Sequence, residues 1–214
     1  MLATSCGKGV PNPDFTVKEY LGQKLQTLGV GFKYEFLQGG ENGTIIYTIE
    51  PNYSGKFKKA LLADNFFLRD NAGKIVNTIE GEIVTVSANH DVFNIEGELE
   101  KKISRRFGSS LFSRISRLLF HRDGYFVKDA EDHHLLDIQE TWSSVLSPFL
   151  REYVIRDPQT GEEIGIIRNR AKVEGVLGAQ TYESSLSRPT QENVRNLALV
   201  MRVVDEIEDK EEHK

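Results

Sequence analysis

The stretch from Lys101 to Arg122 carries Lys101, Lys102, Arg105, Arg106, Arg114, Arg117 and Arg122, and no Asp or Glu. Setting these seven charges aside leaves 20 basic against 32 acidic residues, a balance of −12 in a chain whose formal charge is −5. Inside the stretch, Leu111, Phe112, Ile115, Leu118 and Leu119 recur at helical spacing behind Ser109 and Ser110. A basic amphipathic element of this kind suits anionic phospholipid headgroups, at roughly 1 kcal/mol per basic residue held near such a surface. It suits an acidic protein partner as well. The plain alternative is an apolar face packed on the body of the protein with the arginines as its solvated side. Nucleic acid is disfavoured, because only Phe107, Phe112 and Phe120 offer bases a stacking platform.

Other residues able to do chemistry are not grouped for it. His133 and His134 lie near Asp132 and Asp137, but neighbouring residues of a strand point to opposite faces and cannot share one ion. A turn is the better reading there, and no metal is expected. Acidic residues are scattered without a spacing that would pair them for acid–base work. Gly39-Gly40-Glu41-Asn42-Gly43 lacks the Lys-Ser/Thr that would make a phosphate loop. Ser109-Ser110 and Ser184-Ser185 lack the flanking glycines of a nucleophile elbow. The single cysteine, Cys6, allows neither an internal disulfide nor a cysteine zinc site within one chain. The expectation is a non-enzymatic protein without a cofactor.

The elements that would carry these residues are mainly strands. Phe32, Tyr34 and Phe36 alternate with Lys33 and Glu35, turn through Gly39–Gly43, and return as Thr44-Ile45-Ile46-Tyr47-Thr48-Ile49. A further unit recurs three times: Phe66-Phe67-Leu68-Arg69-Asp70, Tyr125-Phe126-Val127-Lys128-Asp129 and Tyr153-Val154-Ile155-Arg156-Asp157. Each copy runs through a short turn into a second apolar strand. Asp opens such turns because its carboxylate accepts backbone N–H groups just ahead, and the basic residue before it should point outward. Further strands are expected at 82–87 and 92–99. Ten or more antiparallel strands in one domain must close or stack to hide their edges.

Two helices are expected. Thr16-Val17-Lys18-Glu19 matches a capping box, and Val17, Tyr20, Leu21, Leu25 and Leu28 follow at helical spacing. Near the other end, Leu197 to Val204 is apolar at every position except Arg202. A helix apolar all round is buried, and Asp205, Glu206, Glu208 and Asp209 follow too closely for it to span a bilayer. No window approaches the ~20 apolar residues of a membrane helix. Hydrophobic residues make up 39% of the chain, which fits a folded domain. Residues 1–14 read as a flexible leader, 15–209 as one domain and 210–214 as a charged tail.

The unit from Tyr153 through Asp157-Pro158-Gln159-Thr160-Gly161 to Ile164-Gly165-Ile166-Ile167-Arg168 resembles those of the tubby C-terminal-like superfamily, which includes the phospholipid scramblases and the LURP-one-related proteins. The apolar helix at 197–204 resembles the one that family threads through a twelve-stranded barrel. The resemblance spans residues 31–209 and implies a membrane-associated role, phospholipid binding or lipid scrambling. Scramblases carry a Cys-rich stretch and a more hydrophobic end, whereas this chain has only Cys6 and an acidic tail. Translocation is therefore not expected, and no family binding residue carries over.

The resulting expectation is a mainly β, antiparallel, hairpin-built closed barrel with a buried C-terminal helix and a short N-terminal helix. It would be cytoplasmic and would dock on anionic phospholipid or an acidic partner through Lys101, Lys102, Arg105, Arg106, Arg114, Arg117 and Arg122. The rivals are a carrier barrel holding a lipid or other small apolar ligand, and a purely structural interaction module. A helix filling the barrel would leave a carrier no room. If the natural start lay upstream, Ala3-Thr4-Ser5-Cys6-Gly7 would resemble a lipoprotein cleavage site and Cys6 a lipid anchor.

Overall fold

The computed structural model describes residues 14, 16–26, 32–52, 65–81, 89–105, 124–141, 151–170 and 181–212. Twelve antiparallel strands close into one barrel: β1 (Glu19–Gln26), β2 (Phe32–Gln38), β3 (Thr44–Pro51), β4 (Asn65–Asp70), β5 (Ile75–Gly81), β6 (His90–Phe93), β7 (Leu99–Arg105), β8 (Gly124–Asp129), β9 (His134–Glu140), β10 (Glu152–Arg156), β11 (Glu163–Arg170) and β12 (Thr181–Leu186). Each strand pairs with its neighbours in sequence, and β1 closes the ring on β12. Closure leaves no strand edge open to another chain.

The helix α1 (Gln191–Glu212) follows β12 and enters the barrel. Thr190 caps it through an Oγ1 that accepts the Asn193 N–H at 3.1 Å. Val194 and every residue from Leu197 to Val204 except Arg202 are buried in one cluster with inward residues of the wall, including Phe36, Leu68, Ile103, Val127 and Ile167. The apolar stretch thus meets wall side chains on every side. The barrel interior belongs to the protein's own helix, and a carrier has no lumen to use. No described helix is long and apolar enough to cross a membrane.

The expected N-terminal helix is a strand. Asp14 Oδ1 accepts both the N–H and the hydroxyl of Thr16, at 2.9 and 2.7 Å, so the supposed cap forms a turn instead. Residues from Glu19 then pair with β12 and β2. The inward positions of β1 are Tyr20, Gly22 and Lys24, and the outward ones include Leu21 and Leu25. Gly22 has no side chain because a Cβ would collide with the Tyr34 hydroxyl and the Met201 methyl, and Lys24 reaches the buried Asp205 of α1 at 3.6 Å. Apolar residues therefore fall on both faces while two inner positions are not apolar, which mimics a helical period.

Five successive hairpins share one irregularity. In each, the register skips one residue of the second strand: Ile46, Val76, Glu100, Leu135 and Ile164. A bulge turns the skipped residue and its successor toward the same side. Ile46 and Ile164 lie in the core, and Val76 and Leu135 pack against it. Glu100 alone among the five is charged.

The repeated turns also share a device. Asp70 Oδ1 accepts the N–H groups of Ala72 and Lys74, and Asp157 Oδ1 those of Gln159 and Thr160. Asp129 Oδ1 accepts that of His133. Asn94 is a fourth copy, with the same bonds to Glu96 and Glu98. The expected strand at 92–99 is instead the end of β6, this turn and the first residue of β7. The predicted strand at 82–87, the leader at 1–13 and Cys6 lie outside the described residues.

Candidate functional site

The basic stretch is divided by the barrel wall. Lys101, Ile103 and Arg105 alternate along β7 with Lys102 and Ser104, and the faces follow that alternation: Lys101 and Ile103 are buried, with Val127 opposite Ile103 and Tyr125 opposite Arg105. Lys102 lies on the outer face between Asp91 and Lys128. Lys101 is only 2% exposed, which removes it from any solvent-facing basic surface. β7 ends at Arg105 and β8 starts at Gly124, at the barrel end opposite the tight turns. Arg106, Arg114, Arg117 and Arg122 fall between those two strand ends, outside the described residues.

Lys101 belongs to an ionic cluster near the mouth through which α1 enters. Its ammonium lies 3.2 Å from Glu100 Oε1 and 3.5 Å from Glu192 Oε1. Arg195, one turn further along α1, donates to Glu100 Oε1, and Asn77 donates to Glu100 Oε2 at 2.7 Å. One carboxylate thus receives two cations and an amide, which satisfies most of its acceptor sites. Burial pushes the Lys101 ammonium below its ordinary pKa, helped by the Arg195 cation, and Glu100 and Glu192 only partly offset this. Burial by itself would raise the Glu100 carboxyl. Asn77, Lys101 and Arg195 together outweigh it and hold the group below its ordinary value. The cluster ties wall to helix and presents no free acid or base to a substrate.

A second tie lies further along the helix. Asp205 is fully buried and meets Lys24 at 3.6 Å and Arg202 at 3.4 Å, while the Arg202 guanidinium stands 4.2 Å from the centroid of the Phe66 ring. Both clusters are structural in their geometry, and neither was legible as a pairing in the sequence, since their members are up to 181 positions apart along the chain.

His133 and His134 part company as the turn reading requires. His133 sits in the turn with Nδ1 3.0 Å from Asp129 Oδ2, and His134 opens β9 with its ring edge-on to Phe126. Asp129, Glu131 and His133 bring ligand-type atoms within 4.8 Å of one another. The turn's own hydrogen bonds bring His133 to Asp129. Burial by itself would raise the half-buried Asp129 carboxyl; the hydrogen bonds and charge of His133 outweigh it and hold the group below its ordinary pKa.

No family model and no curated protein matches this chain. Its structure is similar to the X-ray structure of a protein from Arabidopsis thaliana, with a TM-score of 0.46 at 11% identity. The match covers 90% of this chain and 96% of the other. It is compatible with a barrel of this kind and carries nothing about activity.

Proposed function

We propose that this protein is a non-enzymatic, cytoplasmic docking barrel that associates with anionic phospholipid surfaces through the basic stretch joining β7 to β8. The observation that carries the reading is the filled lumen: with α1 occupying the interior, recognition is left to the outside of the barrel. In the sequence, the stretch from Lys102 to Arg122 is the densest run of positive charge without an intervening Asp or Glu. Five cations remain in it once Lys101 and Arg105, which share the inner-facing positions of β7, are set aside. Four of these, Arg106, Arg114, Arg117 and Arg122, lie between the strand ends and alternate with apolar residues, as interfacial binding requires. The cytoplasmic assignment rests on the lone cysteine and the resemblance to a membrane-peripheral family.

The test is co-sedimentation of the full chain with vesicles of neutral phosphatidylcholine and of phosphatidylcholine with about one-third phosphatidylserine. Binding to the anionic vesicles only, weakened by salt and by the triple variant R106E/R114E/R117E, is the expected result. Equal binding to both vesicles, or none to either, overturns it. Failure with vesicles together with capture by an immobilised polyglutamate would instead favour an acidic protein partner.

A further inference from the structure

A second candidate surface lies on the outer face of β4, β5 and β6. There Phe67, Thr78 and Phe93 stand in register across three strands, with Ile75 and Ile95 beside them. They line an open groove of about 740 Å³ that reaches the turn carrying Ile95. Ile95 is 59% exposed, the most exposed large hydrophobic residue described. Outward aromatic side chains gain nothing from the core here, since α1 fills the lumen behind them. Arg69 stiffens the groove's edge: it bonds Glu50 and the Gly73 carbonyl and sits 5.7 Å from the Phe67 ring centroid, so its charge is already spent.

The groove is charged at its ends with opposite signs. Lys74 lies at the turn end of β5, is exposed and makes no ion pair with a described residue. Glu80 lies at the far end, also exposed and without an ion pair to a described residue, and directly opposite Asp91 of β6. Two carboxylates facing each other across a strand pair repel, a cost the free protein carries. Lys102, the next residue across in β7, makes no ion pair with either. Five residues lie between Lys74 and Glu80, six steps that span roughly 20 Å at about 3.3 Å per residue.

We propose that this groove binds an extended peptide segment with an acidic residue at one end, a basic residue at the other and about four apolar residues between. The acidic end meets Lys74, the apolar side chains cover Phe67, Phe93 and Ile95, and the basic end relieves the Glu80–Asp91 repulsion. A single-headed amphiphile such as a fatty acid satisfies Lys74 but lays hydrocarbon over Glu80, which strips water from an unpaired carboxylate. Charge complementarity therefore selects the bipolar segment. Because the barrel is closed, the peptide rests on the face by its side chains and does not add a strand.

The probe is a fluorescein-labelled, end-blocked hexapeptide with Arg first, Asp last and Val, Phe, Val and Ile between, titrated with the full chain by anisotropy. Saturable binding is expected, weakened about three- to tenfold by Lys74→Glu or by Glu80→Lys and restored by the double exchange, in which the peptide lies reversed. Both positions are exposed, so the thermal melt of Lys74→Glu should match wild type, and the two variants carrying Glu80→Lys should melt no lower, since that exchange also relieves the repulsion with Asp91. Absence of saturable binding overturns the proposal, as does binding that ignores both exchanges. Tighter saturable binding of dodecanoate than of the peptide at this groove overturns it in favour of a lipid site. None of these outcomes depends on the vesicle experiment, which reads variants at other residues.

Discussion

Glu100, the residue skipped in the β6–β7 bulge, accepts a hydrogen bond from Arg195 of the central helix, 95 positions away. The four equivalent positions in the other hairpins hold Ile46, Val76, Leu135 and Ile164, each turned toward the core or packed against it. At this one hairpin the barrel substitutes an ion pair for apolar contact, and it does so beside the mouth where the helix begins. The geometry fixes the helix against the wall: greasy contacts set its depth only loosely, whereas a carboxylate shared by Arg195, Lys101 and Asn77 admits one position.

Removing Glu100 and removing Lys101 should have unequal effects. Glu100→Leu leaves Lys101 and Arg195 facing each other with one carboxylate, Glu192, and that one is largely exposed. Breaking a buried pair costs about 3–5 kcal/mol, and the partial exposure of Glu100 and Arg195 lowers the expectation to about 2 kcal/mol. Lys101→Met removes a cation that burial already disfavours and leaves Glu100 with Arg195 and Asn77, so its cost should stay below about 1 kcal/mol. Urea denaturation of the two variants checks the order.

The pH dependence follows from the same groups. Glu100 titrates below its ordinary value of 4.5 in the folded protein. The unfolded chain therefore takes up this proton first as pH falls, and the stabilisation, full above that ordinary value, is lost as pH drops through the folded pKa. Lys101 shifts stability with pH in the same direction, but through a cost instead of a gain. Its folded pKa is depressed below 10.5, so burying the charge costs stability at neutral pH, and the cost fades as pH rises between the folded and unfolded values. Glu100→Gln should flatten stability against pH on the acid side, and Lys101→Met on the alkaline side. Equal slopes in variant and wild type would contradict this.

The turns offer a milder test. Asp70→Ala removes the acceptor for two N–H groups and should cost about 1–2 kcal/mol, as loss of a helix cap does. Asp70→Asn should be close to neutral, because Asn94 makes the same pair of bonds at its own turn. Thermal melts of the two variants distinguish the carbonyl-type oxygen from the charge as the working part.

Much of this architecture was legible because it is local. The hairpins at 32–51, 65–81, 124–140 and 152–170 follow from period-two patterning and from Asp or Gly at the turns, and the buried helix from an apolar run with one interruption. What escaped was non-local. β1 looked helical because its inner face is Tyr20, Gly22 and Lys24, a pattern that makes sense only against Met201 and Asp205 of α1. Lys101 was counted with the surface cations because charge alone does not report which side of a strand faces in. Alternation from Ile103, a strong inward candidate, would have placed Lys101 inside. The bulge that brings Glu100 to the same side left no mark in composition.

Gly22 gives the sharpest check of how closely helix and wall are fitted. A methyl group added there meets the Tyr34 hydroxyl and the Met201 methyl, both on the inner side of the barrel. Overpacking of a filled core costs about 1–3 kcal/mol, and Gly22→Ala is expected to fall in that range although Ala is the smaller change in residue type. Tyr34→Phe removes the nearest of three obstructing atoms, leaving the ring carbon Cζ and the Met201 methyl, so the double variant should be less destabilised than the sum of the singles, by about 0.5 kcal/mol. Simple additivity in a double-mutant cycle by urea denaturation would mean that the strand moves aside instead, and that β1 is not held against α1 as described.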